Sequence, residues 1–98
     1  MSPKNKKRGT VLRIWAREFK DNHMLRDMTV EDYSEETRTH KVFNAIEKVC
    51  HEFDLSVPIW LDVNIADFKR TARVRFTTDS FVDSVPFDYL EVYVIEED

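Results

Sequence analysis

The sequence predicts an α+β fold: a single domain with a sheet of about four strands, one long amphipathic helix at about residues 33–53 packed on one face, and one or two short helical turns. Three observations lead there. Apolar and charged residues alternate with period 2 near both ends of the chain, a helical period occupies the middle, and Gly9 is the only glycine in 98 residues, which leaves few tight turns.

The run GTVLRIWAREF sets Leu12, Ile14 and Ala16 against Val11, Arg13, Trp15, Arg17 and Phe19, the pattern of a strand with one side on a core. After the polar turn KDNH, the segment MLRDMTV offers Met24, Met28 and Val30 on a common side with Arg26 and reads as the second arm of a hairpin. Asp32 then suits a helix N-cap, with Glu35 three residues on as in a capping box and Glu36 at the positive end of the helix dipole. Val42, Phe43, Ile46, Val49, Cys50 and Phe53 follow at i, i+3, i+4 and i+7 spacing, an apolar stripe that must cover a sheet.

Pro58 closes that region, and IWLDVNIADF fits two templates: Ile59, Leu61, Val63 and Ile65 alternate as in a strand, while Leu61, Ile65 and Phe68 suit a helix capped by Asp62. Because Asp62, Asn64 and Asp67 are poor strand residues, the reading favoured here is a short strand through Leu61 and then a helix to about residue 69. A strand over about 72–77, a turn or short helix opening at Thr78 or Asp79, and a final strand in FDYLEVYVIE complete the chain. The last strand shows Leu90, Val92 and Val94 on one face and Tyr89, Glu91 and Tyr93 on the other.

Length allows one small core and no second domain. Residues 1–9 read as a flexible basic tail, 10–96 as the domain and 97–98 as an acidic terminus. Four of the 15 basic residues, Lys4, Lys6, Lys7 and Arg8, fall in that tail, so 11 basic groups face 19 acidic ones elsewhere. Such a balance opposes nonspecific attraction to a nucleic-acid backbone. Cys50 is the only cysteine, which rules out an intrachain disulfide and fits a reducing compartment. No signal-type apolar run or membrane span is visible. The expectation is a soluble, unprocessed, cytoplasmic protein with no membrane association.

The outward strand faces collect Arg13, Trp15, Arg17, Arg73, Arg75, Tyr89 and Tyr93, joined by Glu91. If these strands are neighbours, the face resembles the platforms on which single-stranded bases stack while arginines meet phosphates. The glycines of the common RNA-binding strand motif are missing from RVRF. The bland alternative is cross-strand cation–π and ion pairs that set register, and a third is a protein-docking patch, since Trp, Tyr and Arg dominate interfaces.

His40, Asn44, Glu47 and His51 share a helix flank, with His23 the only other histidine; two ligands on one helix without HExxH or cysteine pairs read as a solvated face. Cys50, on the apolar stripe, reads as a small hydrophobe. Asp62, Asp67, Asp79, Asp83 and Asp88 could hold a general acid or base, yet each also suits a cap or an element end. With no glycine-rich loop, no phosphate or dinucleotide cofactor is expected, and no metal or catalytic residue is assigned.

The blocks WLDVNIADF, RFTTDSF and FDYLEVYVIEED together resemble short proteins of anaerobic Firmicutes with no assigned function, across roughly residues 33–98. That resemblance implies a bacterial cytosolic setting and carries no binding residues. The resulting expectation is a small non-enzymatic module that binds a protein partner, or a second copy, through the aromatic and arginine face or by edge pairing of a terminal strand such as 87–95. Single-stranded nucleic-acid binding on the same face ranks second, and a carboxylate-based enzyme third.

Overall fold

A computed structural model describes residues 11–97; the basic tail expected at 1–9 lies outside the described residues, as does Asp98. The elements run β1 (Leu12–Lys20), β2 (His23–Asp32), α1 (Arg38–Phe53), α2 (Asp62–Thr71), β3 (Arg73–Thr77), a 3-10 turn (Thr78–Ser80) and β4 (Tyr89–Glu97). The strands form one antiparallel sheet in the order β2-β1-β4-β3.

β1 and β2 make the expected hairpin. Lys20 pairs with His23 across a two-residue turn, and Asp21 and Asn22 carry φ of 52° and 67°. Tight hairpin turns require positive φ at both centres, which Asp and Asn tolerate better than other side chains when glycine is absent. The pairing steps from Glu18↔Arg26 to Phe19↔Met24, so Leu25 is an extra residue. Arg26, Met28 and Val30 share a side, across from Glu18, Ala16 and Ile14, as expected, but the bulge moves Met24, expected with them, to the other face opposite Phe19.

The terminal strand is not an edge. β4 lies between β1 and β3 with both sides of its backbone paired, so the expected edge-to-edge association through residues 87–95 is excluded. The edges are β2 and the five-residue β3.

The long helix begins later than the capping signals suggest. Asp32 is still in β2, paired with Leu12, and its Oδ1 accepts the Ser34 amide at 2.8 Å, turning the chain out of the strand. Thr37 is the N-cap instead; its Oγ1 accepts the His40 amide at 3.2 Å. Asp54, at φ 59°, ends the helix with its amide on the Cys50 and His51 carbonyls. The buried stripe is Lys41, Val42, Ala45, Ile46, Val49, Cys50 and Phe53, and Phe43, expected within it, is 46% exposed. The stripe is rotated because the sheet meets the helix one residue round from Phe43.

No strand forms over 59–61 among the described residues; the helix expected after Leu61 to about residue 69 is α2, which runs ten residues to Thr71, so the described residues hold a second helix beside the long one rather than only short helical turns. Leu61, not Asp62, is the N-cap position, and its amide donates to Asn64 Oδ1 at 2.8 Å. Both helices lie on the same side of the sheet. Ile46, Val49 and Cys50 of α1 join Ile14, Ala16, Val74, Phe76, Leu90 and Val92 in one core, with Trp60 and Phe68 packed against it.

Asn64 ties this layer together. Only 4% exposed, it accepts from Leu61 N and from Ser80 Oγ (3.2 Å), and its Nδ2 donates to the Arg75 carbonyl at 3.1 Å. Asn64→Ala removes the partner of the buried Ser80 hydroxyl and of two part-buried backbone groups and should lower unfolding stability by about 3 kcal/mol, against about 1 kcal/mol for Thr37→Ala, which removes only an exposed cap. Denaturant titration of both variants checks the ranking; equal losses would contradict it.

Candidate functional site

The in-register pairs place all seven expected residues on the sheet face away from the helices. Thr29, Trp15, Tyr93 and Arg73 form one cross-strand row, Asp27, Arg17, Glu91 and Arg75 the next, and Met24, Phe19, Tyr89 and Thr77 a third. Cross-strand partners share a face, so Trp15 and Arg73 stand on the same side. Arg13 extends the face at the end of β1, its Nε donating to Glu31 at 2.8 Å.

At the centre is Glu91, 1% exposed although it points away from the core. Its cover is made of arginines. Arg17 Nη2 bonds Oε1, Arg75 Nε donates to Oε2 at 3.1 Å, and Arg73 Nε stands 3.9 Å from the same oxygen. Three guanidinium groups thus surround one carboxylate; with Asp27 in the same row the cluster still carries a local excess of one positive charge, in a chain whose formal net charge is −4.

The rings are occupied as well. Arg17 lies over Trp15 at 4.2 Å from the ring centroid and over Phe19 at 5.1 Å; Arg73 covers Tyr93 at 4.6 Å and Arg75 covers Tyr89 at 4.9 Å. Trp15 Nε1 donates to Asp27 at 2.7 Å. Each guanidinium lies over a ring, and Glu91 also bonds those of Arg17 and Arg75, so the remaining N–H groups are partly preorganised. Arg17 Nε is buried without a hydrogen-bond partner among the described residues. The side chains of Arg73 and Arg75 are 46% and 57% exposed. The chemistry available is anion recognition by planar, rigid donors.

A second charged lock was not expected. Glu18, 2% exposed, continues the inward row of Leu12, Ile14 and Ala16. Arg26 clasps it through Nε at 2.9 Å and Nη2 at 3.0 Å, donates to the Phe53 carbonyl at 2.8 Å and lies over the Phe53 ring. The hairpin is thereby fastened to the end of α1. The spacing of Glu18 and Arg26 across a predicted hairpin was the available signal.

His40, Glu47 and His51, on the flank read as a solvated face, are exposed. His40 Nδ1 pairs with Glu36 at 3.3 Å, and the described residues contain no group of three His, Cys, Asp or Glu that could hold an ion. Cys50 is buried, and burial, reinforced by Glu18 and Glu47, pushes its thiol up to about 11. Among the aspartates, Asp67 pairs with Arg70 at 2.9 Å and Asp88 accepts the Asp21 amide at 2.9 Å.

Sequence reasoning missed an apolar groove on the helix side. It lies between α1 and α2, lined by Phe43, Trp60, Ile65 and Phe68 together with Arg38 and Lys69; its volume is about 360 Å³. A smaller hollow of about 250 Å³ adjoins it past Phe43 and Trp60 and reaches Glu47 and Val57. Among the described residues no aspartate lines either one. The signal was the ambiguity of IWLDVNIADF, whose apolar residues exceed what one helix can bury.

Glu91→Gln should cost about 2–3 kcal/mol, because three cations lose their shared counter-charge. Replacing Arg17 and Glu91 together by Met and Leu should recover part of that loss, and a neutral Glu91→Gln would contradict this account. For Cys50, a thiol protonated in the fold up to about pH 11 should resist a disulfide reagent at pH 8 until denaturant is added. Its raised value also means stability is fully present below the ordinary thiol range and falls as pH rises through it, more steeply in the wild type than in Cys50→Ala. Comparison with protein-family models, curated proteins and solved structures finds no match to this chain.

Proposed function

We propose that the chain is a small non-enzymatic binding module that docks an acidic surface of a protein partner on the arginine and aromatic face of its sheet. The observation that carries this reading is the convergence of Arg17, Arg73 and Arg75 on buried Glu91, with a ring clamped beneath each guanidinium. Because the side chains are already ordered, a partner's carboxylates meet donors that lose little further freedom on binding. Trp, Tyr and Arg are also the side chains that concentrate interface energy.

The same geometry ranks protein binding above single-stranded nucleic acid. A stacking platform needs bare ring faces, and here Trp15, Tyr89 and Tyr93 each have a face occupied by an arginine. A base would have to displace those contacts, whereas a carboxylate adds to them.

Titration of a short peptide alternating glutamate and tyrosine, beside a thymidine oligonucleotide of equal charge, tests the reading. The peptide should bind more tightly, and the double variant Arg73→Gln, Arg75→Gln should weaken it at least tenfold with the fold unchanged by circular dichroism. Tighter oligonucleotide binding that falls steeply with salt, or peptide binding indifferent to the double variant, would overturn it.

A further inference from the structure

The groove between α1 and α2 uses none of the residues of the sheet face. Its base is rigid: Trp60 meets Phe76 edge-on at 5.0 Å and Phe68 at 5.6 Å, and tilts against Phe43 at 6.1 Å. Its walls remain wet, with Phe43 46% and Ile65 41% exposed. A volume of about 360 Å³ falls within the roughly 300–1,000 Å³ of small-molecule sites, which combine apolar walls with a few placed polar groups. An α-helix about 10–12 Å across could insert only isolated side chains into such a space.

Charge sets the class of ligand. Two cations, Arg38 and Lys69, line the groove, and among the described residues no carboxylate does, in a chain where acidic residues outnumber basic ones by 19 to 15. The Arg38 guanidinium lies 5.2 Å from the centroid of Phe68, a ring that lines the groove. We propose that this groove binds a monoanionic amphiphile, a single acyl chain or aryl group ending in a carboxylate. The apolar body lies against Phe43 and Trp60, and the head group sits between Arg38 and Lys69.

The test follows Trp60 emission in a Trp15→Phe background, with decanoate and decanol as probes. Decanoate should shift the emission saturably at one per chain and bind about three- to fivefold more tightly than decanol, the scale of an exposed ion pair. Lys69→Glu should erase that preference, and Ile65→Asp should weaken both probes. If Trp15→Phe does not fold, the Trp60 indole signal in the NMR spectrum of the wild type gives the same readout. An unresponsive Trp60, or equal binding of the two probes in the wild type, overturns the proposal. So does concentration-dependent self-association that shields Trp60 without ligand, which assigns the groove to a second copy.

Discussion

One-sided cover of the sheet is the constraint from which the other features follow. Two helices on a single side require every second strand residue to be apolar and release the alternate set from that requirement. Along β1 the inward row is Leu12, Ile14 and Ala16, and the outward row is Arg13, Trp15 and Arg17. Pairing in register then carries the distinction across β4 to β3, so residues some sixty positions apart in sequence, Trp15 and Arg73, share a cross-strand row. A slip of one residue would exchange the two rows and bury guanidinium groups beneath α1.

The released face does not remain a loose solvated surface. Glu91 draws three arginines inward and is itself removed from water by them. On the covered side Glu18 and Arg26 form a smaller counterpart that reaches the end of α1. Such pairs add little net stability over apolar residues of the same volume, but they penalise any arrangement that separates them. Their role here is to hold one register and one helix position, and on the open face the same lock produces the ordered donors of the proposed docking surface.

Strand positions and their faces were legible because period-2 patterning reports one-sided burial directly; β1, β3 and β4 fall where Leu12, Val74 and Leu90 alternate with charge. Helix boundaries were less so. Asp32 and Glu35 have the spacing of a capping box, yet strand pairing with Leu12 prevails and Thr37 caps instead. The sequence period also could not show that Phe43 turns towards Trp60 and α2 rather than the sheet, because a helical period tells which residues share a stripe and not which neighbour meets each edge of it. The seven site residues could be grouped by face, but their order in space depended on β4 lying between β1 and β3. The Glu91 cluster therefore emerged only with topology.

The most direct test of one-sided cover is an NMR measurement of nuclear Overhauser contacts from the Trp15 indole and the arginine Nε–H protons. The account predicts contacts from Trp15 to Tyr93 and Arg17, and from Arg73 to Tyr93, with none from Trp15 to the methyl groups of Ile46 or Val49. Contacts between the Trp15 indole and those methyl groups would place the ring beneath α1 and contradict the account.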